Sequence, residues 1–277
     1  MRKQIYDFKE REFLFNYTLL EQSPSIDVHL HDQYEIYYLL SGDVTYYIEG
    51  QSYKMAANDI IITNNLELHR PIFDSNQLYE RMIIQFYPSY VSNFQDAEYN
   101  LLNCFEKRKL GYFNRIEASD VFQYGMHKFF DNIKSYCIHR VPESSIMIKV
   151  NFVELLVTLN QYYNAKKELN HSEHYQYDAK VLSILEYINE HLDEKITLDL
   201  LGRKFFINKY YLCHIFKKHT GFTIVEYITY KRIMKAKELL VTGMPVMEVA
   251  SKVGFGDYSN FYKVFKKIVG TSPKKLI

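Results

Sequence analysis

The sequence predicts an α+β chain: an antiparallel β-sandwich or barrel first, helices next, and an all-α C-terminal half built on two helix-turn-helix units. Three observations predict it. Short β-forming runs punctuated by Gly, Asn and Asp fill the stretch from Asp27 to about Tyr90. After about Phe94, apolar residues recur at helical spacing. One motif, Phe-Lys-Lys-x-x-Gly, starts at Phe216 and again at Phe265, an offset of 49 residues.

The 277 residues suffice for two modest cores. Hydrophobic residues at 47% and charged residues at 24% are ordinary for a globular chain and exclude a disordered one. No run approaches the roughly 18 apolar residues of a membrane span, so no membrane partner is expected. Residues 1–7 (MRKQIYD) turn acidic at once without an apolar segment, so no secretory leader is expected. Cys104, Cys137 and Cys213 are odd in number and far apart. That argues against a disulfide framework or a Cys-rich zinc site and suits a cytoplasmic location. The net charge of +1 hides an asymmetry. Residues 178–277 carry 17 Lys and Arg against 10 Asp and Glu, a net of +7. Residues 1–177 carry 17 against 23, a net of −6. A basic arm joined to an acidic module suits a nucleic-acid partner for the arm.

Taken in order, the first strands are Tyr34–Leu40, Val44–Ile48, Ser52–Met55 and Ile60–Thr63, separated by turns at Ser41-Gly42-Asp43, Glu49-Gly50-Gln51 and Asn58-Asp59. Helices follow over Ala118–Tyr136 and Glu143–Tyr163, the second with an apolar stripe at Ile146, Val150, Val153 and Val157. Residues 165–177 (AKKELNHSEHYQY) lack a stripe and read as an interdomain linker, with His171 and His174 as linker histidines. The implied bounds are a β module over 1–100, a helical segment over 101–164, the linker, and a helical domain over 178–277.

Within that last domain each repeat reads as helix, short turn, helix. Thr197–Phe205 leads the first, Asn208 caps Lys209–His219, and Gly221 ends it. Pro245–Val253 leads the second, Asp257 caps Tyr258–Val269, and Gly270 ends it. Such a unit lays its second helix in the DNA major groove. Lys217, Lys218, Lys266 and Lys267 lie where they could reach phosphates, although cations near a helix C-terminus also suit its dipole without DNA. Tyr210, Cys213 and His214 in one helix, and Ser259, Asn260 and Lys263 in the other, are not needed for packing and are the candidates for base contacts. Between the units, Thr223 and Glu226 form a capping box at the start of a long helix, Ile224–Val241. That helix would hold the two reading helices at a fixed spacing.

These residues resemble the AraC/XylS-type regulators. The resemblance covers residues 178–277 and is most specific over Val249-Ala250-x-x-Val253-Gly254-Phe255-x-Asp257-x-x-x-Phe261-x-x-x-Phe265-Lys266-Lys267-x-x-Gly270-x-Ser272-Pro273. It implies the same six base-contact positions. It further implies double-stranded promoter DNA, a small-molecule effector and RNA polymerase as partners, and a homodimer joined through the 101–164 helices, whose stripe could equally pack on the barrel of its own chain. Gly202 stands where the family usually has Ala, and Leu200 replaces a usual polar residue. Gly costs a helix about 0.5–1 kcal/mol, so the first unit is expected to be the looser one.

In the N-terminal half, His29-x-His31-x-x-x-Glu35, with His69 later, resembles the first motif of the cupins. The resemblance implies a cupin-like antiparallel barrel that senses a ligand, a carbohydrate by family analogy. His29, His31, Glu35 and His69 are expected to line the ligand pocket together with Tyr37 and Tyr46, whose rings suit a sugar face. No cofactor and no catalysis are expected. The same imidazoles and carboxylate also suit a divalent Zn, Fe, Mn or Ni ion. Two other readings stay open: a metal-dependent cupin enzyme, and a constitutive DNA-binding protein whose barrel only dimerises.

Overall fold

The computed structural model describes residues 3–22, 31–95, 98–167 and 179–276. Strands β1 (Lys3–Lys9) and β2 (Phe13–Leu20) pair as a hairpin. Next come β3 (Tyr34–Ser41), β4 (Val44–Ile48), β5 (Gln51–Lys54), β6 (Ile60–Thr63), β7 (His69–Phe73) and β8 (Tyr79–Phe86). A short helix, α1 (Asn103–Glu106), precedes β9 (Arg115–Ile116). The strands form two antiparallel sheets, one of order β1-β2-β8-β3-β6-β9 and one of order β5-β4-β7.

The expected barrel is not closed, because among the described residues no ladder joins the two sheets. Side chains separate them instead. Tyr37, Leu39 and Ile61 of the large sheet pack against Val44, Tyr46, Ile48 and Tyr53 of the small one. Alternate residues of the large sheet (Ile36, Tyr38, Ile60, Ile62, Ile84) turn the other way, onto helices. A strand covered on both faces loses its polar alternation, which is why Tyr34–Leu39 is buried at six consecutive positions. Each fully buried side chain of this kind contributes about 1.5–3 kcal/mol.

The covering helices are α2 (Ala118–Gln123), α3 (Met126–Ile138) and α4 (Ser144–Lys166). The helix expected over Ala118–Tyr136 is two, because the chain turns at Tyr124-Gly125. Ile148, Phe152, Leu155 and Leu159 of α4 join one core with the large sheet. The stripe expected to be the apolar face lies beside that one: Ile146 and Val150 are 67% and 42% exposed, while Val153 and Val157 are half-buried. The expected linker begins inside the last turn of α4, and its residues 168–177, His171 and His174 included, lie outside the described residues.

The C-terminal half consists of α5 (Ala179–Glu190), α6 (Leu198–Lys204), α7 (Lys209–Thr220), α8 (Ile224–Val241), α9 (Val246–Lys252) and α10 (Tyr258–Val269). Each expected cap is in place. Asn208 accepts from Tyr210 N and Asp257 from Asn260 N, and Thr223 with Glu226 completes the capping box. Two cores result. Ile224, Tyr227 and Ile228, from the first half of α8, pack with α5, α6 and α7. Ile233, Ala236 and Leu240, further along α8, pack with α9 and α10. The helix is thus the shared wall of both units. No helix among the described residues is long and apolar enough to cross a membrane.

Gly202 has a reason that propensity misses. A Cβ there would lie 2.9 Å from the Ile207 carbonyl oxygen, where the chain folds back so that Ile207 N donates to Gly202 O. Ala would gain about 1 kcal/mol of helix propensity. It would also force apart backbone packed too closely for a methyl, and overpacking costs about 1–3 kcal/mol. Gly202→Ala is therefore expected to lower stability in urea titrations; a gain would show that the backbone gives way freely.

Candidate functional site

On α7, Leu212, Ile215 and Phe216 face the core, which turns Tyr210, His214, Lys217 and Lys218 outward, with Cys213 half-buried at the edge. On α10, Phe261 and Phe265 face the core, and Ser259, Asn260, Lys263, Lys266 and Lys267 are exposed. All ten sequence candidates thus lie on two surface faces. The 49-residue offset matches Tyr210 with Ser259, His214 with Lys263, and the two lysine pairs with each other. It also matches Asn260 with Tyr211 and Cys213 with Tyr262. Tyr211, 54% exposed, is a position the sequence reading missed although the repeat pointed to it.

The second cluster lies between the sheets. His31 Nε2 is 3.4 Å from Glu35 Oε2. The rings of His31 and His69 meet edge to face with centroids 5.1 Å apart. Tyr46 OH donates to Glu35 Oε1 at 2.8 Å, Gln85 Nε2 donates to Oε2 at 2.8 Å, and the Tyr46 ring stacks on His69. Tyr37 stands one layer back. Its ring packs on Tyr46 and its hydroxyl meets that of Tyr79 at 3.0 Å. His31, Glu35, Tyr46 and His69 therefore come together, Tyr37 supports them, and His29 lies outside the described residues.

Burial works against the Glu35 carboxylate, but the hydrogen bond from His31, the charges of His69 and His31, and the Gln85 amide outweigh it and hold its pKa well below the usual range. Burial also opposes charge on His31, yet bonding to Glu35 raises its pKa overall. Burial lowers that of His69. Burial and the Glu35 charge push the Tyr46 hydroxyl well above its ordinary value.

The residues that follow the two histidines reach across to the helical half. Asp32 pairs with Lys237 of α8. Arg70 donates to the Gly221 carbonyl at 2.9 Å, with its guanidinium 5.4 Å from the centre of the Phe222 ring. Gly221 ends α7 at φ 73°, and a Cβ there would lie 2.9 Å from Tyr47 Cγ, so only glycine admits both the turn and the contact. Glu49 pairs with Lys231 at 3.1 Å and accepts from Tyr227 OH at 3.2 Å. Leu68 is buried in the core of the first unit. The small sheet is thus docked on the back of that unit, while the Tyr210–Lys218 face of α7 stays outward.

Comparison with known proteins gives matches to both halves. Residues 201–277 match a helix-turn-helix domain family, and residues 20–101 match the AraC-like ligand binding domain family. The chain is 26% identical over 248 residues to an uncharacterized HTH-type transcriptional regulator, YdiP, of Escherichia coli, covering 88% of this chain and 78% of that protein. It is 30% identical over 94 residues to the regulatory protein SoxS of Salmonella typhimurium, covering 34% of this chain and 88% of SoxS. It is 30% identical over 133 residues to the arabinose operon regulatory protein of Escherichia coli, covering 47% of this chain but only 44% of that relative's length.

Proposed function

The chain belongs to the AraC family of transcription regulators, and from that membership we propose that α7 and α10 read two segments of promoter DNA under control of a ligand held at the His31–Glu35–His69 cluster. One observation carries the DNA reading: two repeat-related helices expose equivalent faces, each ending in a lysine pair, opposite buried phenylalanines. Tyr210, Tyr211, Cys213 and His214 are assigned to one segment, and Ser259, Asn260 and Lys263 to the other. Lys217, Lys218, Lys266 and Lys267 are assigned to phosphates. Removing one phosphate contact should weaken binding to every sequence and reduce the salt slope by about one unit, so Lys266→Ala is expected to do both. Asn260→Ala should instead relax preference at one base pair by about 1–3 kcal/mol. Binding of both variants to DNA chosen from a random pool, measured across salt concentrations, checks this; identical behaviour would sink the assignment.

Control would pass through the docked small sheet. A ligand shifts the protein only by its difference in affinity between two arrangements, and the Asp32, Glu49 and Arg70 contacts are bonds on which two arrangements could differ. We read the sensor half as binding its ligand without catalysis. A carbohydrate, the effector that the resemblance implies, would stack on open aromatic faces. Tyr37 and Tyr46 offer none, being 1% and 2% exposed with their rings against each other and His69.

A homodimer is part of the same proposal, because paired half-sites call for a symmetric protein. Ile146 and Val150 supply an apolar face on α4 that no described residue covers fully. Ile146→Glu combined with Val150→Glu is expected to give monomers by light scattering at concentrations where the parent chain is dimeric. An unchanged mass would place the dimer contact elsewhere.

A further inference from the structure

Two backbone carbonyls decide which nitrogen each histidine offers. His31 Nδ1 lies 2.9 Å from Gln33 O, and His69 Nδ1 lies 2.8 Å from Glu67 O. A carbonyl only accepts, so each Nδ1 carries the proton and a neutral ring keeps its lone pair on Nε2. The third group is oriented just as firmly, since Tyr46 and Gln85 each donate to one oxygen of Glu35. Two imidazoles and an anion thereby converge, with one donor atom from each lying within 4.8 Å of the others. Where an Nε2 proton bridges His31 to Glu35, a divalent cation seated among the three groups would take that proton's place. Imidazoles that give their other N–H to a carbonyl, and carboxylates held by outer hydrogen bonds, are the supports that metal ligands carry.

We propose that His31, Glu35 and His69 bind one divalent transition-metal ion, and that such an ion is the class of ligand to which the sensor half responds. The second clause rests on the reading of the chain as a ligand-controlled regulator. In a tetrahedral site with bonds of about 2.0–2.1 Å, donor atoms stand roughly 3.3 Å apart. The His31–Glu35 edge, at 3.4 Å, already has that length. The longest edge would have to shorten by roughly 1.5 Å, a swing open to side chains about χ1 and χ2. Two imidazoles and one carboxylate suit Zn2+, Ni2+ or Co2+ better than Mg2+ or Ca2+, which take oxygen ligands, and leave a fourth position for water or a further ligand.

The placement explains how loading could be felt at a distance. His31 and His69 are each one residue from a bond to the helical half, through Asp32 to Lys237 and through Arg70 to Gly221. Drawing the two rings together around an ion pulls on both anchors. His31 and Asp32 also line a groove of about 250 Å3 between the halves, closed on the other side by Met234, Lys237 and Val241 of α8, which gives the ion a way in.

The test uses the full chain, stripped with a chelator and titrated with Zn2+ by calorimetry and thermal unfolding, with Co2+ as a spectroscopic probe. The parent chain should bind one equivalent, melt at higher temperature when loaded, and give a visible Co2+ band. His69→Ala and Glu35→Gln should each weaken Zn2+ binding at least 100-fold and lose the band, whereas His127→Ala, outside the cluster, should keep both. Should Glu35→Gln fail to melt cooperatively, His69→Ala, which gives up a single hydrogen bond, decides alone. No bound equivalent in the parent chain, or one that survives in His69→Ala, overturns the site. DNA affinity with and without Zn2+ separates the two clauses. A change of about fivefold or more, absent in His69→Ala, supports the sensor role. Equal affinities with the ion bound overturn that role and leave the metal site standing. Absence of DNA binding in either state overturns the regulator reading while the calorimetry still decides the site.

Discussion

Arg108→Ala is expected to cost about 3–5 kcal/mol of stability, because it strands a buried carboxylate. The Arg108 guanidinium and the Glu67 carboxylate form a forked pair, and both side chains are fully buried. Arg108 also donates to the carbonyls of Cys104 and Tyr112. Glu67 also accepts from Asn64 N, Gly111 N and Asn114 Nδ2. Without the arginine those neutral donors are left to hold a full negative charge in a dry site. Replacing both partners by apolar groups of similar size removes the charge along with its partner. Glu67→Leu combined with Arg108→Met should therefore lose less than Arg108→Ala alone, as measured by urea denaturation. A loss below about 1 kcal/mol for Arg108→Ala would mean that water reaches the pair, as it does at the surface.

The pair matters to function through what it holds. Glu67 O positions the His69 ring, and the next residue, Leu68, donates to Glu49, which carries the ion pair to Lys231. Loosening this loop should therefore blunt ligand binding and interdomain docking together.

Local chemistry was legible in the sequence and distant pairing was not. Asn208, Asp257 and the Thr223–Glu226 box declare helix starts within four residues of themselves, and the structure has each one. β4 and β6 have the expected bounds because turns flank short β-branched and aromatic runs. The β1–β2 hairpin escaped the reading although Phe13, Phe15 and Tyr17 alternate inward, a signal that was there to be used. Other features had no local signal. Nothing near Ile146 says that it and Val150 face away from the sheet while Ile148, Phe152 and Leu155 face toward it. The clasp of Arg70 on Gly221 joins residues 151 apart, and a sequence pattern carries no trace of it. At the sensor site, the His29-x-His31-x-x-x-Glu35 pattern marked His31 and Glu35 as candidates. The tautomers that make the cluster a cation trap depend on Gln33 and Glu67 carbonyls, which only folding brings to the rings.

Phe265→Ala and Phe216→Ala are expected to cost about 3–5 kcal/mol each, yet to fail in different places. Both rings are fully buried and stand at equivalent points of the repeat. Phe265 packs within the second core, on Phe261 and the later turns of α8, and among the described residues nothing from the sheets enters that core. Its loss should unfold α9 and α10 locally and leave the first unit docked. Phe216 packs edge to face on Tyr227, in the core that also takes Leu68 from the sensor half. Its loss should loosen the first unit and the sheet contact together. Amide hydrogen exchange can tell the two apart: Phe265→Ala should speed exchange across residues 246–269 and spare 198–220, while Phe216→Ala should speed it across 198–220 and at the Glu49–Arg70 contacts. On DNA, Phe265→Ala should lose the preference set by Ser259, Asn260 and Lys263 and keep that set by α7. Faster exchange spread evenly over both units in both variants would mean that α8 fuses them into one cooperative block. A ligand pulling on Asp32 and Arg70 would then move the two reading helices as one body, with no change in their spacing on the DNA.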